Sequence, residues 1–163
     1  MVAPEEERFL ENIKCLIQLV AYLTQQARDK GCTIVGKDMI DIASHFITAL
    51  DKHYLLKTFV FYSHKSWDKI KIRNRDFFTK EGEADNIFKN LPVEGVYAFR
   101  TLFTTLDKNG KPIITDGDVE DIWDGFGSLV KISIKYINKN PEIFKECGID
   151  VNAEAKKWEI NFG

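Results

Sequence analysis

The stretch from Thr115 to Asn138 constrains the fold of this chain more than any other part of the sequence. Its hydrophobic residues recur at spacings of three and four, so they fall on one broad face of a helix. The pattern predicts a helix over about 116–138, which would be about 33 Å long at ~1.5 Å per residue. Because apolar side chains cover more than half of its circumference, we predict that this helix lies at the centre of the fold.

Both the ends and the interior of this helix carry further information. Thr115 and Asp118 have the spacing of a capping box, with Asp in place of the usual Glu. Pro141 prevents the helix from continuing much further. Gly125 and Gly127 lie inside the helical pattern, where each costs roughly 1 kcal/mol relative to alanine. They predict a close approach by a neighbouring helix or a local kink.

The rest of the sequence is also patterned as helices. Further helices are predicted over residues 4–30, 38–50, 67–80, 85–91, 93–106 and 153–158. The run 52–62 fits either a helix or a strand, and a helix is favoured because no second strong strand can pair with it. No linker rich in Gly, Ser or Pro divides the chain. We therefore predict an all-α fold: a single helical domain over 1–163, with about six to eight helices bundled around the central one.

Composition and charge limit the classes of function. The chain has 163 residues, of which 44% are hydrophobic and 29% are charged, as is typical of a globular protein. The formal net charge of -2 gives no overall attraction to nucleic acid or to an anionic membrane. Cys15, Cys32 and Cys147 are widely separated, which argues against a disulfide framework and a zinc site. The acidic start and the lack of a long apolar run predict a soluble intracellular protein without a membrane span.

The most concentrated positive charge lies between residues 65 and 75, a stretch that we call the basic segment. If residues 67–80 form one helix, Lys65, Lys69 and Arg73 align at every fourth position, with Lys71 and Arg75 beside them. Such a face predicts binding of nucleic acid, of phosphate or of an acidic partner.

Aromatic and acidic residues near the basic segment affect how it could bind a ligand. Trp67 and Tyr62 are near enough in sequence to stack on a nucleic-acid base. Asp68 and Asp76 offset part of the positive charge, so an ordinary solvated helix face is the alternative interpretation. Both interpretations stay open at the level of the sequence.

The loop before the central helix contains candidate calcium ligands. Asp107 and Gly110 have the relative positions of the first ligand and a glycine in a calcium-binding loop, so residues 99–123 resemble an EF-hand. However, Lys111 replaces an oxygen ligand with a cation, and Pro112 replaces the turn glycine. The sequence therefore predicts a turn between two helices and no calcium site.

No catalytic or cofactor-binding motif occurs in the sequence. There is no GxSxG, Walker or HExxH pattern, and no GxGxxG after a predicted strand. The three histidines, His45, His53 and His64, form no metal-binding grouping, and His45 is interpreted as a partly buried structural residue. We therefore predict a protein that is not an enzyme, with no cofactor, no metal site and no small-molecule substrate.

Three stretches carry a further resemblance: SHKSWDKIKIRNRDFF from Ser63 to Phe78, NIFKNLP from Asn86 to Pro92, and IWDGFGSLVKISIKYI from Ile122 to Ile137. Together they resemble the small helical proteins encoded by large nucleocytoplasmic DNA viruses of the marseillevirus kind. The resemblance implies a protein made in an infected cell, either packaged in the virion or acting at the viral factory in the host cytoplasm. It implies no catalytic residue.

Three hypotheses for function follow. The leading one is a non-enzymatic structural or protein-interaction protein that self-associates, for example as a homodimer, because its aromatic content exceeds what a minimal core requires. The second is a nucleic-acid or phosphate-binding module that uses the basic segment. The third is a viral decoy of the Bcl-2 type, suggested by chain length and the central hydrophobic helix alone, since no NWGR-type signature supports it.

Overall fold

The computed structural model describes residues 3–32, 49, 51–79 and 102–162, and these form an all-α fold, as predicted. The α-helices are α1 (Pro4–Asp29), α2 (Lys52–Ser63), α3 (Trp67–Lys71), α4 (Asp76–Thr79), α5 (Asp116–Lys139) and α6 (Val151–Lys157). Two 3-10 segments span His64–Ser66 and Pro141–Cys147. Within the described ranges, strand pairing is limited to an isolated bridge between Leu106 and Pro112.

Helix α5 is the predicted central helix, and its bounds agree with the prediction to within one residue. The predicted capping box is present. The Thr115 hydroxyl accepts the backbone N–H of Asp118 at 3.1 Å, and the Asp118 carboxylate accepts that of Thr115 at 3.1 Å. Pro141 then opens the second 3-10 segment, so both terminal predictions are confirmed.

The predicted close approach of a neighbouring helix is confirmed at Gly125 but not at Gly127. Helix α1 runs antiparallel to α5, and a Cβ atom added at Gly125 would lie only 2.9 Å from Leu16 Cδ1. A Cβ atom at Gly127 would lie 3.6 Å from Trp158 Cζ3, which is ordinary van der Waals contact. Gly125 therefore lets α1 and α5 pack more closely than a larger residue would allow.

A cluster of aromatic rings fills the space between α4, α5 and the segment around Phe103. The Phe78 ring stacks on Phe103 with centroids 4.2 Å apart, and its centroid lies 4.6 Å from that of Trp123. Phe77 meets Phe126 edge-on at a centroid distance of 5.5 Å. All five residues are buried, so tertiary packing holds the short helix α4, which is too short to be stable alone.

The run that fitted either a helix or a strand is helix α2. Its buried residues Leu55, Leu56, Phe59 and Val60 follow helical rather than alternating spacing. Phe59 packs against Phe9 of α1 with ring centroids 5.3 Å apart. The helical interpretation is confirmed.

The prediction of one helix over 67–80 is wrong. The chain leaves α3 after Lys71, and Arg73 adopts a left-handed conformation with φ of 57°. The Arg73 N–H donates to the Ile70 carbonyl at 3.2 Å. The Asn74 N–H donates to the Lys69 carbonyl at 3.0 Å, which completes the Schellman arrangement that ends many helices. Glycine is the usual residue at this position, so the sequence contains no local sign of the break.

The surface around this turn differs from the predicted helix face. Ile72 is 72% exposed, and the Asn74 side chain accepts the Asp76 N–H at 3.0 Å at the start of α4. At the other end of α3, Ser66 lies in a 3-10 segment and makes no side-chain cap hydrogen bond, contrary to prediction. The region consists of two short helices joined by a turn.

The C-terminal residues pack against α5. Helix α6 confirms the short helix predicted over 153–158, and the Asp150 side chain caps it by accepting the N–H of Ala153 at 3.1 Å. Phe144 and Trp158 are buried in the core, whereas Phe162 is partly exposed. The apolar end of the chain is therefore docked through its tryptophan.

The loop before α5 forms a tight turn, as predicted. The Asp107 N–H donates to the Lys111 carbonyl at 2.7 Å, and the Asp107 carboxylate accepts the N–H groups of Lys111 and Asn109. These backbone hydrogen bonds lower the pKa of Asp107. Gly110 supplies a left-handed residue of the turn, with φ of 77°.

Several predictions fall outside the described residues. These are most of the helix over 38–50 with His45, the helix over 85–91 and the first part of the helix over 93–106. Residues 102–104 are helical, but this helix ends before Leu106. The described part of the chain therefore tests only the last turn of the helix predicted over 93–106.

Candidate functional site

The five cationic residues of the basic segment do not lie on one helix face. Lys65 is exposed in the 3-10 segment before α3, and Lys69 and Lys71 lie on α3 itself. Arg73 and Arg75 follow in the turn between α3 and α4. The break at Arg73 therefore separates residues that a continuous helix would align.

Trp67 is not available to stack on a nucleic-acid base, contrary to one of the predictions. It is 1% exposed, and its indole N–H donates to the Ser63 hydroxyl at 2.9 Å. Tyr62, the other candidate, is partly exposed near the end of α2. Of the two stacking partners that the sequence suggests, only Tyr62 has an accessible ring.

Arg73 is held against the exposed face of α5. Its guanidinium donates to Asp124 Oδ1 at 2.7 Å and also pairs with Glu120. The hydrogen bond to Asp124, supported by the Glu120 charge and opposed by partial burial, raises the pKa of Arg73. Glu120 and Asp124 are one helical turn apart, so their carboxylates reach the two terminal nitrogens of the guanidinium group. This contact fixes the turn after α3 against the central helix.

Arg75 is engaged with a different neighbour. It donates to the Phe103 carbonyl at 3.2 Å, and its guanidinium carbon lies 5.3 Å from the centre of the Phe103 ring. These two contacts attach the start of α4 to the segment around Phe103. Arg75 therefore contacts Phe103, whereas Arg73 pairs with α5.

A cleft of about 310 Å³ lies between α3, the turn after it, α5 and the residue that follows α6. We call it the basic cleft. The residues that give it its chemical character are Lys71, Arg73, Trp123, Ser128, Lys131 and Trp158. It brings two residues of the basic segment together with Lys131, which belongs to a distant part of the sequence.

Two of the cationic groups at the basic cleft have no carboxylate partner among the described residues. Lys71 Nζ lies 5.1 Å from the centre of the Trp158 ring and forms no ion pair there. Lys131 likewise forms no ion pair within the described ranges. The acidic residue of the cleft, Asp124, is already bonded to Arg73. The cleft therefore keeps positive charge that its own walls do not neutralise.

A second polar site lies between α1, α2 and α5. The Tyr136 hydroxyl donates to Glu6 Oε1 at 2.6 Å and lies 2.6 Å from His53 Nδ1. Because the hydroxyl gives its single proton to Glu6, His53 Nδ1 carries the hydrogen of the second bond. Burial, together with Glu6, raises the pKa of Tyr136. We call these three residues the buried network after Tyr136 and Glu6, which are buried, whereas the His53 side chain is 39% exposed. They join the first turns of α1 and α2 to the last turns of α5.

An ion pair lies next to the buried network. Lys139 Nζ lies 2.6 Å from Glu5 Oε1, and Glu5 is 6% exposed. Burial alone would raise the pKa of Glu5, but the hydrogen bond and charge of Lys139 hold it below its usual value. The other oxygen, Oε2, is buried and has no hydrogen-bond partner among the described residues. Glu5 therefore depends on Lys139 to remain charged in this position.

Sequence reasoning missed the buried network. Carboxylates in the first turn of a helix are expected from the helix dipole alone, so Glu6 shows no sign of a distant partner. Tyr136 carries the available signal, because a tyrosine off the main apolar stripe of a central helix needs a partner for its hydroxyl. That signal does not say which residue the partner is.

Two kinds of site are absent from the described part of the chain. It contains no group of three or more His, Cys, Asp or Glu side chains arranged to hold a metal ion. Of the helices that these residues form, none is both long and apolar enough to cross a membrane.

In comparisons with protein-family models, characterised proteins and solved structures, nothing matches this chain. The resemblance to marseillevirus proteins stays a prediction for this reason. Function is therefore inferred from the chemistry of the described residues.

Proposed function

We propose that this chain is a non-enzymatic helical interaction protein that binds an anionic partner in the basic cleft. The observation that carries the proposal is the meeting of Lys71, Arg73 and Lys131 around one cleft. Helix α3, the turn after it and α5 each contribute one of these cations. The positive surface therefore arises from the packing of these elements and not from the basic segment alone.

The charge distribution supports attraction of an anion over a short range. The chain as a whole has a net charge of -2, so it does not attract polyanions from a distance. The unpaired charge of Lys71 and Lys131 acts within about 8 Å at physiological salt. An anionic group must therefore enter or touch the cleft to benefit from it.

The protonation states at the cleft favour binding over catalysis. Lys71, Arg73 and Lys131 belong to residue types that stay protonated near neutral pH. General acid–base catalysis needs a group that exchanges its proton near the working pH, and the described walls of the cleft offer none. Fixed charges of this kind suit recognition of an anion.

The proposal is tested by fluorescence anisotropy with a labelled poly-glutamate peptide and a short labelled duplex DNA at low salt. We expect at least one of these polyanions to bind, and we expect binding to weaken as salt rises. The double variant Lys71→Glu, Lys131→Glu should lose binding because it reverses both unpaired charges. The double variant Lys108→Glu, Lys145→Glu changes the net charge equally, at exposed positions that do not line the cleft, and should still bind.

Two results would contradict the proposal. One is the failure of the wild-type chain to bind any of three anions, the two polyanions and inorganic pyrophosphate, at low salt, where charge attraction is strongest. The other is an equal loss of binding in the two double variants, because that result would assign the attraction to overall charge.

Self-association is a second proposal, favoured by large hydrophobic side chains at the surface. Ile72, Tyr22 and Leu106 are 72%, 58% and 55% exposed. A contact between two copies that covers such side chains would remove apolar area from water. Size-exclusion chromatography with light scattering, over a range of protein concentrations, should then show a dimer that Ile72→Ser weakens. A monomer at every concentration would exclude this proposal.

A further inference from the structure

We infer that the group held in the basic cleft is the phosphate of a small phosphorylated molecule. The inference rests on the proposed function, because it names the chemical class of the anion that the cleft receives. Three observations support it: the kind of hydrogen-bond donor that remains available at the cleft, the positions of these donors on two helices, and the volume of the cleft.

The donors that remain are ammonium and hydroxyl groups. Arg73 has the planar fork that best matches a carboxylate, but Asp124 and Glu120 already occupy it. Lys71 and Lys131 offer point charges without a described carboxylate partner. The Ser128 hydroxyl lines the same space and makes no side-chain hydrogen bond within the described residues. Lysine ammonium and serine hydroxyl groups are common ligands of phosphate oxygens.

The donors come from two opposing walls. Ser128 and Lys131 are three residues apart on α5, so they lie on the same face of that helix. Lys71 belongs to α3, on the other side of the cleft. A tetrahedral phosphate has oxygens in several directions and can accept from both walls together. A carboxylate offers two acceptor oxygens and a phosphate monoester offers three, so a phosphate can give one oxygen to each of the three donors.

The size and the aromatic walls favour a small molecule over a nucleic-acid strand. A volume of about 310 Å³ is at the lower end of the range of ligand sites, roughly 300–1,000 Å³. Trp123 and Trp158 line the cleft but are only 2% and 5% exposed, so their ring faces are not free platforms for successive bases. Their accessible edges can contact the organic part of a small phosphorylated ligand.

The inference is tested by isothermal titration calorimetry with pyrophosphate and with citrate, at the same low ionic strength. We expect pyrophosphate to bind the wild-type chain more tightly than citrate does. Lys131→Met should weaken pyrophosphate binding about tenfold, as expected for the loss of one charge-assisted hydrogen bond. Ser128→Ala should weaken it by a smaller factor, of about three. Lys145→Met removes the same charge from an exposed position outside the cleft and should leave the affinity within about twofold.

Each contrary outcome is informative in a different way. If citrate binds as tightly as pyrophosphate and Lys131→Met weakens both, the cleft binds anions as proposed but the assignment to phosphate is overturned. If Lys145→Met weakens pyrophosphate binding as much as Lys131→Met does, the attraction is diffuse and both the phosphate assignment and the cleft are overturned. Lys131 is exposed, so circular dichroism should show the Lys131→Met variant to be folded before its affinity is compared.

Discussion

Two of the polar attachments that join helix α5 to the rest of the fold differ in their exposure to water. Toward its C-terminal end, Tyr136 donates to Glu6, and both residues are buried. In its N-terminal half, Glu120 and Asp124 pair with Arg73, and the two carboxylate side chains are 60% and 66% exposed. In the first attachment a hydroxyl donates to a carboxyl group, whereas in the second an arginine pairs with two carboxyl groups.

The difference teaches that the number of charges is a poor guide to stability. A hydrogen bond to a charged group contributes about 1.5–3 kcal/mol where water cannot replace it. Exposed ion pairs contribute about 0–1 kcal/mol, because water and salt screen them and long side chains lose freedom on pairing. We therefore expect the hydrogen bonds of the Tyr136 hydroxyl to stabilise the fold more than the pairs made by Arg73.

The largest effect is expected at the buried network. The substitution Tyr136→Phe removes one hydroxyl and keeps the ring, so it leaves Glu6 and His53 without their shared partner. We expect the free energy of unfolding to fall by about 1–3 kcal/mol. Urea denaturation followed by circular dichroism measures this change.

A matched control is available on α2. Tyr54 is partly exposed, so Tyr54→Phe removes a hydroxyl that water can solvate and should change the free energy of unfolding by less than about 0.5 kcal/mol. If the two tyrosine substitutions have equal effects, burial of the network does not distinguish the two attachments of α5.

An intermediate effect is expected from acidification. Lys139 holds the pKa of Glu5 below its ordinary value of 4.5, against the effect of burial. A carboxyl whose pKa is lowered by folding stabilises the fold above its unfolded pKa, and this contribution disappears as the pH falls through the folded pKa. Wild-type stability should therefore decline below about pH 4.5, and Glu5→Gln should remove part of that decline.

The substitution Glu11→Gln provides the comparison for this experiment. Glu11 is also on α1 but is exposed, so its replacement should leave the dependence of stability on pH close to that of the wild type. Urea denaturation midpoints at a series of pH values measure all three proteins. A Glu5→Gln variant with the full wild-type decline would show that the pair with Lys139 does not contribute.

The smallest change in the free energy of unfolding is expected from replacing Arg73, and the same substitution at Glu159 is its control. Both residues have φ of 57° at the end of a helix, but Glu159 forms no ion pair among the described residues. Glycine at such a position relieves roughly 1–2 kcal/mol of left-handed strain in the folded state. Glycine also gives the unfolded chain more conformational freedom, which lowers the free energy of unfolding by about 0.4–1 kcal/mol. Glu159→Gly should therefore raise the free energy of unfolding by about 0.5–1 kcal/mol. Arg73→Gly relieves the same backbone strain but also removes the exposed ion pairs with Glu120 and Asp124, so it should stabilise the fold less.

Salt separates the two contributions at Arg73. At high salt the pairs with Glu120 and Asp124 are screened, so the gap between Arg73→Gly and Glu159→Gly should narrow in urea denaturation. A loss of stability in Arg73→Gly as large as that in Tyr136→Phe would show that the two attachments contribute equally, contrary to the expected ranking.

The parts of the fold that local patterns specify could be predicted. Helices α1 and α5 follow from apolar spacing, and the helical state of α2 follows from the lack of a pairing strand. The capping box depends on Thr115 and Asp118 alone, three positions apart. Each of these features is decided by residues that are close in sequence, so the sequence is sufficient to find them.

The two polar sites could not be predicted, because they depend on pairs of residues that only packing brings together. Tyr136 and Glu6 are 130 positions apart. Lys131 meets Lys71 only once α3 has packed on α5. The break at Arg73 escaped prediction for a different reason: a non-glycine residue takes the left-handed position, and apolar spacing continues past it.

The absence of a side chain at Gly125 has a consequence for how the chain tolerates mutation. Helix propensity alone favours alanine at this position. However, the added methyl group would clash with the end of the Leu16 side chain, which lies in the core and is 4% exposed. In a survey of all substitutions, Gly125 should therefore behave like a buried leucine and not like a surface glycine. Because α1 also carries Glu6, a wider spacing at Gly125 would alter how Glu6 meets Tyr136 about three helical turns away.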